Sequence, residues 1–162
     1  MNQNGEGNVE QEQPLREGWN CRGVRGATTV EGNDTESILA ATRELLYIMI
    51  RANDIRQEDV ASAYFTVTHD LNATFPALAA RQLGWYDVAL ICGLEIPVPG
   101  ALTGCVRIMI HWNTDRSQKE IVHVYLREAQ SLRPDRDTIP TIPLEEIEAA
   151  INGSIDLLEG IR

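Results

Sequence analysis

The sequence predicts an α+β fold, a β-sheet packed with helices, and three observations predict it. Residues 105–112 alternate with period two, so Val106, Ile108, Ile110 and Trp112 share one face of a strand. Ile38, Ala41, Leu45, Ile48 and Ala52 recur at steps of three and four, a single buried stripe on a helix. The other face of 105–112 carries Cys105, Arg107, Met109 and His111, which suit neither a core nor open water. Residues 121–125 repeat that ambiguity, with Val122 and Val124 on one side and His123 and Tyr125 on the other. A sheet covered on one face by its own helices, with Arg, His and Tyr on the second, meets a ligand or another subunit there, so an oligomer is expected.

Taken in order, residues 1–20 hold Gly, Asn, Gln and Glu with almost no apolar content and are expected to be disordered. Next comes Arg22-Gly-Val-Arg-Gly-Ala-Thr-Thr-Val-Glu31, where alternation sends Arg25 to one face of a strand and Arg22, Val24 and Gly26 to the other. A guanidinium there suits a carboxylate, and the glycines admit close approach by a ligand or another backbone. The same run also fits a strand end with one surface salt bridge. Asn33, Asp34 and Thr35 are candidate caps for the helix, which ends near Asn53 with Arg43, Glu44 and Arg51 off its stripe on a solvated face.

A second strand over 61–68 follows from its β-branched and aromatic content. Residues 68–74 read as a loop, Pro76 opens a brief helix and Gly84 closes it. The third strand, 88–95, is nearly all apolar until Glu95 arrives at its end. Prolines and glycines at 97, 99, 100 and 104 separate it from the fourth. A compact domain over 21–135 is thus expected. Residues 136–162 form a proline-marked linker and a helical tail with Leu144, Ile147, Ile151, Ile155 and Leu158 at helical spacing.

Composition narrows the function. At 162 residues the chain holds one sizeable core. No apolar run approaches the roughly 18 residues of a membrane span, and the polar start lacks the pattern of a signal or transit peptide, so a cytoplasmic protein is expected. Of the net charge of −10, residues 1–20 carry −3 and residues 136–162 carry −4. No basic stripe exists to neutralise phosphates, which excludes nucleic acid as a partner. Lys119 is the sole lysine, arguing against Schiff-base chemistry. Cys21, Cys92 and Cys105 are spaced unlike zinc ligands and read as buried reduced thiols.

Residues 22–31, Phe75-Pro-Ala77 with Arg81, Cys92-Gly-Leu-Glu95, Cys-Val-Arg107, His123-Val-Tyr-Leu126 and Leu132-Arg-Pro-Asp135, in that order, together resemble the AroH-type monofunctional chorismate mutases. The resemblance implies a homotrimer with a mixed sheet and helices in each subunit, forming a pseudo-α/β barrel with active sites between subunits. It implies the Claisen rearrangement of chorismate to prephenate in aromatic amino acid biosynthesis, a reaction that needs no cofactor and no metal. Such a catalyst holds a floppy dianion in a chair-like pose and stabilises the charge growing on the ether oxygen.

By the same resemblance, Arg107 donates to the ether oxygen and a carboxylate. Arg25, assisted by Tyr125, binds a carboxylate, and Glu95 and Cys92 hold the ring hydroxyl. Phe75 and Ala77 are wall positions, while Arg81, Leu132 and Arg133 form the surrounding shell. Leu78 stands where some members carry a charged residue. Strand parity sends Cys92 and Glu95 to opposite faces, so either Gly93 sits in a bulge or Cys92 acts through its backbone amide. Two other readings belong to other classes: a trimeric imine or enamine deaminase, and a non-catalytic module that binds an aromatic-pathway metabolite.

Overall fold

The structure, a computed structural model, describes residues 18–135 together with 142–143, 145–146 and 148–149. Five strands, β1 (Asn20–Thr29), β2 (Val60–Val67), β3 (Ala89–Leu94), β4 (Cys105–Thr114) and β5 (Val124–Tyr125), form one sheet in the order β3-β2-β4-β1-β5. β4 lies at its centre, antiparallel to β1 and β2, while β2 pairs with β3 and β1 with β5 in parallel. The mixed sheet matches the expected fold class. Helix α1 (Thr35–Asn53) follows β1, α2 (Leu78–Gln82) precedes β3, and a 3-10 turn, Arg127–Leu132, follows β5.

Helix α1 starts where the sequence offers a cap. Asp34 accepts from Ser37 N at 2.9 Å and Ser37 Oγ at 2.6 Å, and these bonds hold its carboxyl below the ordinary carboxylate value. The helix ends on Asp54, in left-handed backbone at φ 53°. Its apolar stripe, with Leu45, Leu46 and Met49 fully buried, packs on Val24, Phe65, Ile108 and Ile110 from the sheet. Burying each such side chain contributes about 1.5–3 kcal/mol. Gly26 sets the distance between the layers: a Cβ there would lie 2.3 Å from Met49 Sδ and 3.0 Å from Leu45 Cδ1.

Several expectations change. Arg43, assigned to the solvated face, is 7% exposed. It donates to Gln82 Oε1 at 2.6 Å and Glu36 Oε1 at 2.9 Å, because α2 packs against that side of α1. The fifth strand, expected over 121–125, has two residues. The Arg25 backbone N–H donates to His123 Nδ1 at 3.0 Å, so an imidazole stands where a strand carbonyl would extend the ladder. β3 is an edge strand with Ile91 and Leu94 exposed. Of the cysteines, Cys105 is buried, Cys92 half-buried and Cys21 exposed at the outer start of β1.

The expected disordered segment 1–20 and tail helix 144–158 fall mostly outside the described residues. Within them, Ile142 packs against the main core, and Glu146 accepts from Arg51 Nε at 2.7 Å and Tyr47 Oη at 3.2 Å on α1. Among the described residues no helix is long and apolar enough to cross a membrane.

Gly26→Ala is expected to destabilise the fold by about 1–3 kcal/mol by overpacking Met49 and Leu45. Thermal or denaturant unfolding measures it, and a change near zero would show that the layers can separate freely.

Candidate active site

The site forms on the sheet face away from α1. One line of paired residues crosses all five strands: Gly93, Thr66, Arg107, Ala27 and Tyr125. Alternation on each strand that sends Val24, Phe65 and Ile108 into the helix-facing core sends these to the opposite side. Around Arg107 lies a cavity of about 240 Å³, lined among others by Arg25, Thr66, Glu95, Tyr125 and Leu132.

Arg107 occupies the central strand, half-buried. Its Nη1 donates to Glu95 Oε2 at 3.0 Å, and the other carboxylate oxygen of Glu95 accepts from Thr66 Oγ1. Glu95 sits just past β3, held in phase by its N–H donating to Val67 O at 2.9 Å. Two buried polar atoms here, Arg107 Nε and Tyr125 Oη, have no partner among the described residues. A buried donor left unmade costs about 1–3 kcal/mol, which a ligand oxygen would recover. Two guanidiniums, Arg25 and Arg107, against the one carboxylate of Glu95 leave positive charge in the lining, suited to an anion with carboxylate groups. Burial raises the Cys105 thiol above its ordinary value, so this neighbour of Arg107 stays protonated and is no nucleophile.

The structure thus brings Arg25, Glu95, Arg107, Tyr125 and Leu132 together. Arg133 lies beside Tyr125 and holds Asp135 by two contacts of 2.9 and 2.8 Å, which raise the guanidinium above its ordinary value. The remaining candidates lie elsewhere. Phe75, 71% exposed, and Cys92 line a separate groove of about 470 Å³. Ala77 packs against the main core just before α2, and Arg81 on α2 donates to the carbonyls of Trp85 and Tyr86.

Cys92 resolves the parity question. The pairing of β2 with β3 runs without a shift through Phe65↔Cys92, Thr66↔Gly93 and Val67↔Leu94, so no bulge occurs at Gly93. The Cys92 side chain turns toward the core. Alternate residues of a parallel strand turn their amides to the neighbouring strand. Glu95 bonds to Val67, which puts Gly93 in that inward phase and points the Cys92 amide out of the sheet edge.

Thr66 was not singled out in the sequence, although it orients Glu95. Its parity opposite Phe65 and Val67 was readable; that β2 runs between β3 and β4 was not.

A family model described as chorismate mutase type I matches residues 21–136. Chorismate mutase AroH of Thermus thermophilus is 52% identical over 118 residues, 72% of this chain and 97% of that protein. Its namesake in Bacillus subtilis (strain 168) is 46% identical over 115 residues, 70% of this chain and 91% of that protein. The solved structure of chorismate mutase from Clostridium thermocellum, Cth-682, is similar with a TM-score of 0.67 at 49% identity, covering 68% of this chain and 98% of that one.

Tyr125→Phe deletes a buried hydroxyl that has no partner, and is expected to leave the unliganded thermal midpoint at or above the wild-type value. A loss above about 1 kcal/mol would show instead that the hydroxyl is bonded.

Proposed function

The chain belongs to the type I chorismate mutase family, and from that premise we infer that the arginine cavity is where it performs the family's reaction. The protein is a chorismate mutase, an isomerase that converts chorismate to prephenate on the route to phenylalanine and tyrosine. The family match lends no support to the deaminase or to the non-catalytic module.

The observation that carries the siting is the cavity that Arg25, Arg107 and Tyr125 line together, where Arg107 Nε and Tyr125 Oη are buried with no partner among the described residues. In the rearrangement an ether C–O bond breaks as a C–C bond forms within one molecule, and negative charge gathers on the departing oxygen. The protein's task is to hold the reactive shape and to meet that charge with donors already in place. Arg107 donates to the ether oxygen and a carboxylate, held ready by Glu95 and Thr66. Arg25 grips a carboxylate with Tyr125. Glu95 and the outward amide of Cys92 take the ring hydroxyl. Leu132 walls the cavity, with Arg133 at its rim.

Phe75, Ala77 and Arg81 belong to the same reading as contributions from a neighbouring copy. Three features support a homotrimer with sites between subunits, its sheets forming the pseudo-α/β barrel. A cavity of about 240 Å³ is small beside the ~300–1,000 Å³ of usual ligand sites. The named residues divide between this cavity and positions away from it. The edge at β3 exposes Ile91, Leu94 and, just beyond, Ile96, an apolar border that needs cover. A cytoplasmic location, with neither nucleic acid nor membrane as partner, completes the proposal.

Loss of chorismate's diene absorbance on incubation with the protein tests the activity, and no loss above the spontaneous rate refutes it. Arg107→Ala is expected to lower kcat at least about a hundredfold, the loss of about 2.7–4 kcal/mol typical of an oxyanion donor; a drop under about fivefold sinks the assignment. If sites are shared, mixed trimers reassembled from inactive Arg107→Ala and Arg81→Ala chains are expected to regain up to about a quarter of the wild-type rate, since one neighbour supplies each intact half. No recovery would place both arginines in one subunit's site.

A further inference from the structure

We propose that Arg127 is a positioning residue for this reaction: from left-handed backbone it grips Thr28 and Glu44 and so fixes the turn that sets Leu132 and Arg133 beside the cavity. The proposal rests on the chorismate reading above and deepens it.

Arg127 has φ 52°. Among the described residues Asp54 is the other non-glycine with positive φ, and it caps a helix, where that conformation is common. Arg127 instead opens a 3-10 turn, and an arginine in left-handed backbone is strained where glycine is free. Strain of this kind persists where the surroundings over-determine it. Here they do. Nη1 donates to Thr28 Oγ1 at 2.8 Å, on the helix-facing side of β1, and Nη2 to Glu44 Oε2 on α1 at 2.6 Å. The next residue, Glu128, accepts from Thr29 Oγ1. Two consecutive turn residues therefore hold two consecutive β1 residues, and Arg127 ties the turn to both layers of the fold.

The turn continues to the site. Leu126 N donates to Ala27 O at 2.9 Å, and fully buried Ala129 packs with Ala27, Cys105 and Tyr125. Leu132, which ends the turn, packs on that cluster and lines the cavity; Arg133 follows. A loosened turn would blur the place of a wall and a cation that meet the substrate from first encounter, and lost grip of that kind raises KM and spares kcat.

The test uses the full chain. Arg127→Gly relieves the backbone and removes the grip; Thr28→Val removes one acceptor at constant shape; Arg127→Lys keeps the charge with one donor group. Arg127→Gly is expected to raise KM for chorismate about tenfold with kcat within about threefold, and Thr28→Val to raise it several-fold, with Arg127→Lys between wild type and the glycine variant. Amide exchange across residues 127–133 is expected to quicken in parallel. An unmoved KM in Thr28→Val and in a folded Arg127→Gly, or a fall confined to the thermal midpoint, overturns the proposal by leaving Arg127 a merely structural clamp. Should Arg127→Gly fail to fold, Thr28→Val decides. A wild-type chain without turnover defeats the chorismate reading itself, an outcome separate from wild-type turnover with KM unmoved.

Discussion

The contact between Arg107 and Glu95 is the constraint on which the site depends. A guanidinium placed on the central strand of a sheet has few ways of keeping partners, and burying it unpaired is costly. The carboxylate of Glu95 meets Nη1 at 3.0 Å and leaves Nε buried with no partner among the described residues. That arrangement needs β2 between β3 and β4, with Thr66 in register with both Gly93 and Arg107. Slipping any of these strands by one residue would turn the arginine or its partner to the other face. The topology and the charge therefore specify each other.

β1 shows how one strand serves two layers. Its odd positions, Arg25 and Ala27, belong to the cavity lining, while Val24, Gly26 and Thr28 face the helix. Period-two alternation makes the division automatic, so ten residues supply both a cation in the cavity lining and the notch into which Met49 fits. The same economy holds on β4, where Val106, Ile108 and Ile110 build the core and Arg107 the site.

Much of this was legible from local pattern. The stripe on α1, the Asp34 cap, the alternation of β4 and the glycine closing α2 each depend on neighbours in sequence, and each stands where expected. What escaped depends on distant partners. Arg43 looked solvated because nothing local announces that α2 will cover it. β5 looked longer because no pattern shows an imidazole replacing a strand carbonyl. That β3 ends the sheet escaped too, because apolar content does not say which strand lies at the border. For the site, Arg107 was conspicuous as the lone charge in an apolar strand, whereas Thr66 drew no notice without its neighbour across β3. The family resemblance identified the cluster; residue pattern alone gave its parts.

The notch at Gly26 also constrains what substitutions the two layers can accept. A lineage that adds a methyl group at position 26 first meets the sulfur of Met49 and loses about 1–3 kcal/mol, while one that first trims Met49 to alanine opens a void worth about 2–5 kcal/mol. Against a total stability of about 5–15 kcal/mol, either order crosses a valley. Each change is thus tolerated best in the company of the other, and the spacing of the layers rests on the pair.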